Sequence, residues 1–481
     1  MGYRYPASMT DKSPAPISAV IPDEVKLLFA QAMQRQNGGD QLGALALYTE
    51  AIRLHPTLPD AYNNIAVLLK SMQRLPAAVA CLKRAVLHAP NVAGLYSNLG
   101  NMLWMNLEFE ESMAAFSRAL ALDSERPETY HNLGLLQFSL GDYRQAVECY
   151  DRALVLKPNN HLVMWDRALA LLAGGDLARG FAAYDVRFDL DDPTMRFDLK
   201  LKAVRSIPLP LWQGESLAGK TLYVYAEQGL GDTMQFARFL PLAARQGARV
   251  VFDCQPELLR LLTGLAGIAE LRAATPGIAP PPADFHLPLM SLPSRFGITL
   301  DNLPAAVPYL SLPPAVTGPS LPRPPGTRLA IGIAWAGRPE HTNDRNRSMR
   351  LEDFLNLVDL PGVALYSLQK GPRAGDIAAL GAAALLTDLA PQIQDFVDTA
   401  RLMLQLDLVI CIDTSLAHLA GALGRRAFVL LPFTPDWRWL GRREDSPWYP
   451  TMRLFRQPAI GDWRGVMRRV RETLAATIAR P

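Results

Sequence analysis

The chain has 481 residues, a formal net charge of +3, 49% hydrophobic and 20% charged residues. Such a composition is globular, the length predicts two to four domains, and the thin spread of mostly arginine charge excludes a nucleic-acid-binding stripe. Cys81, Cys149, Cys254 and Cys411 form no C-x-x-C pair and have no nearby histidine at zinc spacing, so they read as apolar residues of a reducing compartment. The start of the chain holds no apolar leader core, and no run reaches eighteen apolar residues, which predicts a cytoplasmic protein without a transmembrane segment.

Residues 1–20 read as a disordered tail. From there to about residue 190 the sequence repeats every 34 residues. Ala51, Ala85, Ala119 and Ala153 keep that period, as do Pro56, Pro90 and Pro158, with Ser124 where a fourth proline would fall. Ala32, Ala66, Gly100 and Gly134 recur in step with Tyr48, Leu82, Phe116 and Tyr150. This is the tetratricopeptide pattern: two antiparallel helices per unit, small residues where they cross, proline closing the second. Four clear units and a degenerate fifth from His161 make an α-helical superhelix over residues 21–190. Asn64, Asn98 and Asn132 are also 34 apart, on the first helix of successive units, which lines the inner wall. A carboxamide donates and accepts at once, so this ladder is a candidate grip for the backbone of a polypeptide partner. The competing reading is that the asparagines only tie neighbouring units together.

A bridge (191–215) leads to a different texture. "TLYVYA", a Gly-x-Gly turn, a helix and then "ARVVFDC" predict a strand–helix–strand unit, in a lobe spanning residues 216–312. Within "EQGLGDTMQFARFLP", Gly229 and Gly231 form the turn and Asp232 follows it. Asp232 with Gln235 has capping-box spacing, but it also stands at the carboxyl end of a parallel strand, where open α/β sheets bind ligands. The proline-rich stretch 313–326 reads as a linker. A second lobe, 327–481, opens with "RLAIGIAWAG" and passes through "VALYSLQKG" to "LDLVICIDTSLAHLAGALGRRAFVLLP". An amphipathic helix closes it.

Asp413, Thr414 and Ser415 start a helix directly after an apolar strand, a place suited to an anion, although the same residues are common caps. His418, one turn on, reads by itself as a packed core histidine, but its place in this motif makes it a candidate donor-binding residue. "WAGRPEHTNDRNRSMRLEDF" holds His341, Arg345, Arg347 and Arg350 in one loop, and "SLQKG" brings Gln369 and Lys370 to another strand end. Arginine binds phosphate in bidentate fashion. No Asp, Glu or His cluster has metal-cage spacing, so neither metal nor cofactor is expected. Phe433, Trp437 and Trp439 offer either stacking faces for a base or sugar, or core packing. P-loop, nucleophile-elbow and full dinucleotide fingerprints are absent.

"EQGLGDTMQFARFLP", "WAGRPEHTNDRNRS", "DTSLAHLAGALG" and "PDWRWLGRREDSPWYPTMRLFRQ", in that order, resemble the bacterial tetratricopeptide-repeat glycosyltransferases. Their catalytic part is similar to the heptosyltransferases, and the plan is similar to the O-linked N-acetylglucosamine transferases and to enzymes that glycosylate flagellin. The resemblance covers roughly residues 25–475. It implies a GT-B α/β region of two Rossmann-like lobes, the first on the acceptor side and the second on the donor side. It makes Asp232 the general base, Asp413–Ser415 the donor-holding motif with Ser415 in place of glycine, and Arg347 or Arg345 the phosphate ligand. The implied substrates are a nucleotide sugar and a Ser or Thr of a polypeptide held by the repeats. A glycolipid transferase that uses its repeats only for recruitment, and a scaffold with a decayed transferase region, are the alternatives.

Overall fold

The structure is a computed structural model and describes residues 21–190, 207–275, 279–313, 316, 318, 320–341 and 343–479. The expected tail 1–20, most of the bridge and parts of the linker therefore lie outside the described residues. The chain divides into two compact units, one over residues 4–170 and one over 171–481.

The first unit is a ladder of helix pairs: α1 (Asp23–Asn37) with α2 (Gln41–Leu54), α3 (Pro59–Ser71) with α4 (Leu75–His88), α5 (Ala93–Met105) with α6 (Phe109–Leu122), and α7 (Pro127–Ser139) with α8 (Tyr143–Leu156). Each first helix packs on its own second helix and each second helix on the next unit, so the core is a continuous seam. The crossings need small residues. A Cβ added at Gly134 would stand 2.4 Å from the Tyr150 ring, and one at Gly100 2.7 Å from the Phe116 ring. The turn between paired helices is left-handed in every unit, at Gly39 (φ 84), Gln73 (φ 60), Leu107 (φ 66) and Gly141 (φ 77). Asp40 and Asp142, just after two of these turns, cap the following helix by accepting from the backbone N–H of Gly43 and Gln145.

The degenerate fifth unit is divided. Its first helix, α9 (His161–Ala173), contains the boundary between the two compact units, and its second, α10 (Leu177–Tyr184), belongs with the α/β residues. Phe181 and Tyr184 of α10 pack against Phe236 and Trp437.

The second unit holds two parallel sheets. The first comprises β1 (Thr221–Tyr225), β2 (Arg249–Cys254), β3 (Glu270–Ala273) and β4 (Phe285–Pro288) in the order β3-β2-β1-β4. The second comprises β5 (Leu329–Ala334), β6 (Val363–Ser367), β7 (Thr387–Asp388), β8 (Leu408–Ile412), β9 (Ala427–Leu431) and β10 (Met452–Arg456), ordered β10-β9-β8-β5-β6-β7. β8 and β9 are buried along their whole length, as strands covered on both faces must be. The closing helix Trp463–Ile478 contributes Val466, Met467, Val470 and Leu474 to that core.

Both sheets are doubly wound. In the first, the chain moves outward from β1 through β3 and returns on the other side at β4. In the second it moves outward from β5 through β7 and returns at β8. Each sheet therefore has a topological switch point, between the carboxyl ends of β1 and β4 and of β5 and β8.

Candidate functional site

Asp232 lies just past β1, at the first switch point, but it is not the helix cap. Gly229 is the N-cap of the helix Leu230–Phe236, and Asp232 is its third residue. Its Oδ2 reaches back to accept from the Gly229 N–H at 2.8 Å. Gln235, the supposed partner in a capping box, is fully buried with neither carboxamide atom hydrogen-bonded. The other carboxylate oxygen, Oδ1, stands 2.5 Å from Nη2 of Arg438, a residue of "PDWRW" for which the sequence offered no role.

Gly231 shows why this turn needs glycine. An added Cβ would meet His418 Cδ2 at 2.8 Å and Ser415 Cα at 3.3 Å. The start of the Asp232 helix thus packs directly on the start of the helix Ser415–Ala422, which follows β8. The two motifs that the sequence keeps nearly 200 residues apart meet here.

At the second switch point Thr414 is the N-cap of that helix, in extended conformation and without a side-chain capping bond. Across from it, Arg347 comes from the single turn Asp344–Arg347 in the segment after β5, and its Nη1 donates to the Asp413 carbonyl at 2.9 Å. Of the two alternative phosphate ligands, Arg347 is therefore the one at the switch point; Arg345 is exposed. Burial and the neighbouring Asp436 carboxylate push the Asp413 carboxyl up. Burial alone would raise Asp436 as well, but the Arg438 guanidinium holds it well below the usual carboxylate range. His341 is brought down to about 3 by burial and by Arg347, so it is neutral.

Several expected ligands are occupied otherwise. Gln369 is buried, and its Oε1 accepts from the N–H groups of Trp335 (3.0 Å) and Ala336 (2.9 Å). Its Nε2 donates to the carbonyls of Ala336 and Lys370, so it shapes the segment after β5. The Lys370 ammonium donates to the carbonyls of Ala390 and Ile393. His418 is 4% exposed, stacks on Trp439 with ring centroids 5.5 Å apart, and has its Nδ1 3.0 Å from the Tyr449 hydroxyl. That is the packed histidine of the plainer reading. Trp437 and Trp439 are likewise core residues, and Phe433 is half-buried.

In the repeat array the asparagines are not equivalent. Asn98 donates from Nδ2 to Oδ1 of Asn63 in the preceding unit at 2.6 Å, an inter-unit tie. Asn64 donates to the Tyr48 hydroxyl. The rung before Asn132 is Ser97, whose hydroxyl accepts from Thr129, and the buried Oδ1 of Asn132 has no hydrogen-bond partner. The same register continues into the fifth unit, where Asp166 stands 2.6 Å from Nε2 of His131.

Sequence reading also missed a buried polar cluster beside β1. Arg187 gives two bonds to Glu227 (3.1 and 2.9 Å), one to Asp185 and one to Ser291. Glu227 belongs to the quoted "EQGLGD", but nothing in a linear sequence announces a partner 40 positions away.

The fold and these contacts define a helical-repeat unit joined to a unit of two parallel sheets whose motif-bearing helix starts are in contact. Models of the tetratricopeptide repeat match residues 63–127 and 127–160, and an array of such repeats is a scaffold for protein interaction. Protein FlbA of Caulobacter vibrioides (strain ATCC 19089 / CIP 103742 / CB 15) is 27% identical over 337 residues, 65% of this chain and 55% of FlbA. The chain thus spans about half the length of that relative. Among solved structures, Pseudomonas aeruginosa pilF is 20% identical over 38% of this chain and 85% of its own (TM-score 0.33). YrrB, described as a TPR protein with an unusual peptide-binding site, is 23% identical over 33% of this chain and 80% of its own (TM-score 0.27). Among the described residues no helix is long and apolar enough to cross a membrane, and no group of three or more His, Cys, Asp or Glu is placed to hold a metal ion.

Proposed function

We propose that this chain is a glycosyltransferase of GT-B plan that moves a sugar from a nucleotide-activated donor to a Ser or Thr of a polypeptide held by the repeats. The observation that carries the reading is the packing of Gly231 on Ser415, which puts the Asp232 turn of one sheet against the anion-favouring helix start of the other. Asp232 takes the proton from the attacking hydroxyl. Arg347 and the first N–H groups of the Ser415 helix stabilise the leaving phosphate. Lys370 has no part in this version, because its ammonium is held by two carbonyls. The acceptor is held by the repeat array, in which Asn132 is the rung whose buried carboxamide oxygen is unpaired.

The test is a panel of nucleotide sugars with candidate acceptors, read by intact-mass spectrometry. Asp232→Asn is expected to fold and bind donor but to lose about 10²–10⁴-fold in transfer rate. Wild-type turnover in that variant removes Asp232 from the chemistry. Asn132→Ala is expected to raise the acceptor KM by roughly two- to tenfold, the worth of one hydrogen bond, with donor KM unchanged.

One observation favours a second reading, a protein-binding scaffold without transfer. Gln369, Lys370 and Arg347 all spend donors on the protein's own carbonyls. Nucleotide binding without transfer or hydrolysis across the panel would select it.

A further inference from the structure

We propose that Arg438 is the positioning residue for Asp232, fixing the direction of the carboxylate that accepts the proton; this rests on the transferase reading above. Asp436 starts the turn Trp437–Trp439, and its Oδ1 accepts both the backbone N–H of Arg438 (3.0 Å) and its Nη1 (2.8 Å). The guanidinium lies 4.4 Å over the Trp437 ring and 5.8 Å from that of Phe236. One turn of chain thus immobilises the arginine before it reaches across to the other sheet's helix.

The three side chains form a graded row. Asp436 is 8% exposed, Arg438 6% and Asp232 22%, so the row runs from a buried acid to the carboxylate with most access to solvent. Nη2 of Arg438 lies in ion-pair contact with Oδ1 of Asp232, outside hydrogen-bond geometry, and the Gly229 N–H donates to Oδ2. A carboxylate has about four lone-pair positions, so one hydrogen bond and one ion pair restrain its direction and still leave room for a proton. Tyr184, His418 and Asp436 are the other titratable groups that face this pair.

A plain staple between the two sheets does not explain the arrangement. Arg238 already joins them, donating to the Trp448 carbonyl at 2.7 Å and to the Tyr309 hydroxyl at 3.0 Å, and it is buried without spending a carboxylate. Arg438 instead ends on Asp232, the acid of the turn that follows β1.

The experiment is a double-mutant cycle on kcat with the full chain, donor and acceptor. Arg438→Gln is expected to lower kcat about 10²-fold with donor KM within about threefold, the size of a misplaced catalytic group. Arg438→Lys restores part of that loss, and its melting curve serves as the fold control should the glutamine variant be unstable. In an Asp232→Asn background, Arg438→Gln changes the residual rate by less than about twofold, because the residue it positions is already disabled. Losses that multiply independently overturn the proposal, as does a rise in donor KM at constant kcat, which would make Arg438 a donor ligand. A wild-type chain inactive with every donor removes the transferase reading itself and this inference with it.

Discussion

At the scale of single residues, burial decides more than residue type. His418 looks like a site residue from its place in "DTSLAH", yet it is enclosed by Trp439 and Tyr449, with Arg438 and Asp232 nearby. Burial first, then the Arg438 charge, lowers its pKa from 6.5 to about 3. The unfolded chain binds a proton there near pH 6.5 that the folded chain refuses until about pH 3. Stability is therefore lost as pH falls through that window, by about 1.4 kcal/mol per pH unit for this one proton. His418→Phe keeps a ring on Trp439 and removes the titration. Urea melts at pH 7.5 and 5 should show wild type losing roughly 1–2 kcal/mol more than the variant over that interval. Equal losses would mean that His418 is charged in the folded state. This outcome also marks what the sequence could carry. The positions of Asp232 after β1 and of Arg347 after β5 were legible because the sequence motifs mark those strand ends. Arg438 and Arg187 were not, because their partners lie on elements brought together only by folding.

At the scale of elements, the 34-residue period made the helix pairs, their crossings and their order readable, since every contact in such an array is local or between neighbours. The left-handed turn was not read from the period, although Gly39, Gln73, Leu107 and Gly141 share one register position. Two of the four lack glycine. A non-glycine residue in this conformation costs about 1–2 kcal/mol, while glycine gives back roughly 0.5–1 kcal/mol in the unfolded chain. Leu107 is 51% exposed, so its side chain contributes little packing. Leu107→Gly is expected to stabilise the repeat array by about 0.5–1 kcal/mol in chemical denaturation. A destabilised variant would show that the leucine contacts outweigh the strain. Less legible was the end of the array. Periodicity carries the fifth unit to about residue 190, but α10 buries Phe181 and Tyr184 against aromatic residues of the α/β unit, and a repeat pattern has no term for what its last helix packs against.

For the whole molecule, one hydrophobic cluster runs through the repeat array and another fills the six-stranded sheet of the α/β unit. Two compact units with hydrophobic clusters of their own are expected to give two melting transitions. A pair of glycine substitutions tests this with one kind of perturbation in each unit. At Gly134 an added methyl meets the Tyr150 ring at 2.4 Å, inside the array. At Gly231 it meets His418 at 2.8 Å and Ser415 backbone at 3.3 Å, between the two sheets. Neither glycine has positive φ, so both effects are steric, and overpacking of this kind costs about 1–3 kcal/mol. In calorimetry of the full chain, Gly134→Ala should lower one transition by roughly 3–10 °C and leave the other in place, and Gly231→Ala should do the reverse. Gly231→Ala has a second readout, since it pushes the Asp232 turn away from the Ser415 helix start. Its transfer rate should fall even at temperatures where both units are fully folded, whereas Gly134→Ala should keep its turnover number. One merged transition moved equally by both substitutions would make the molecule a single cooperative body. Unchanged transfer by folded Gly231→Ala would mean that the close approach of the two helix starts serves packing alone.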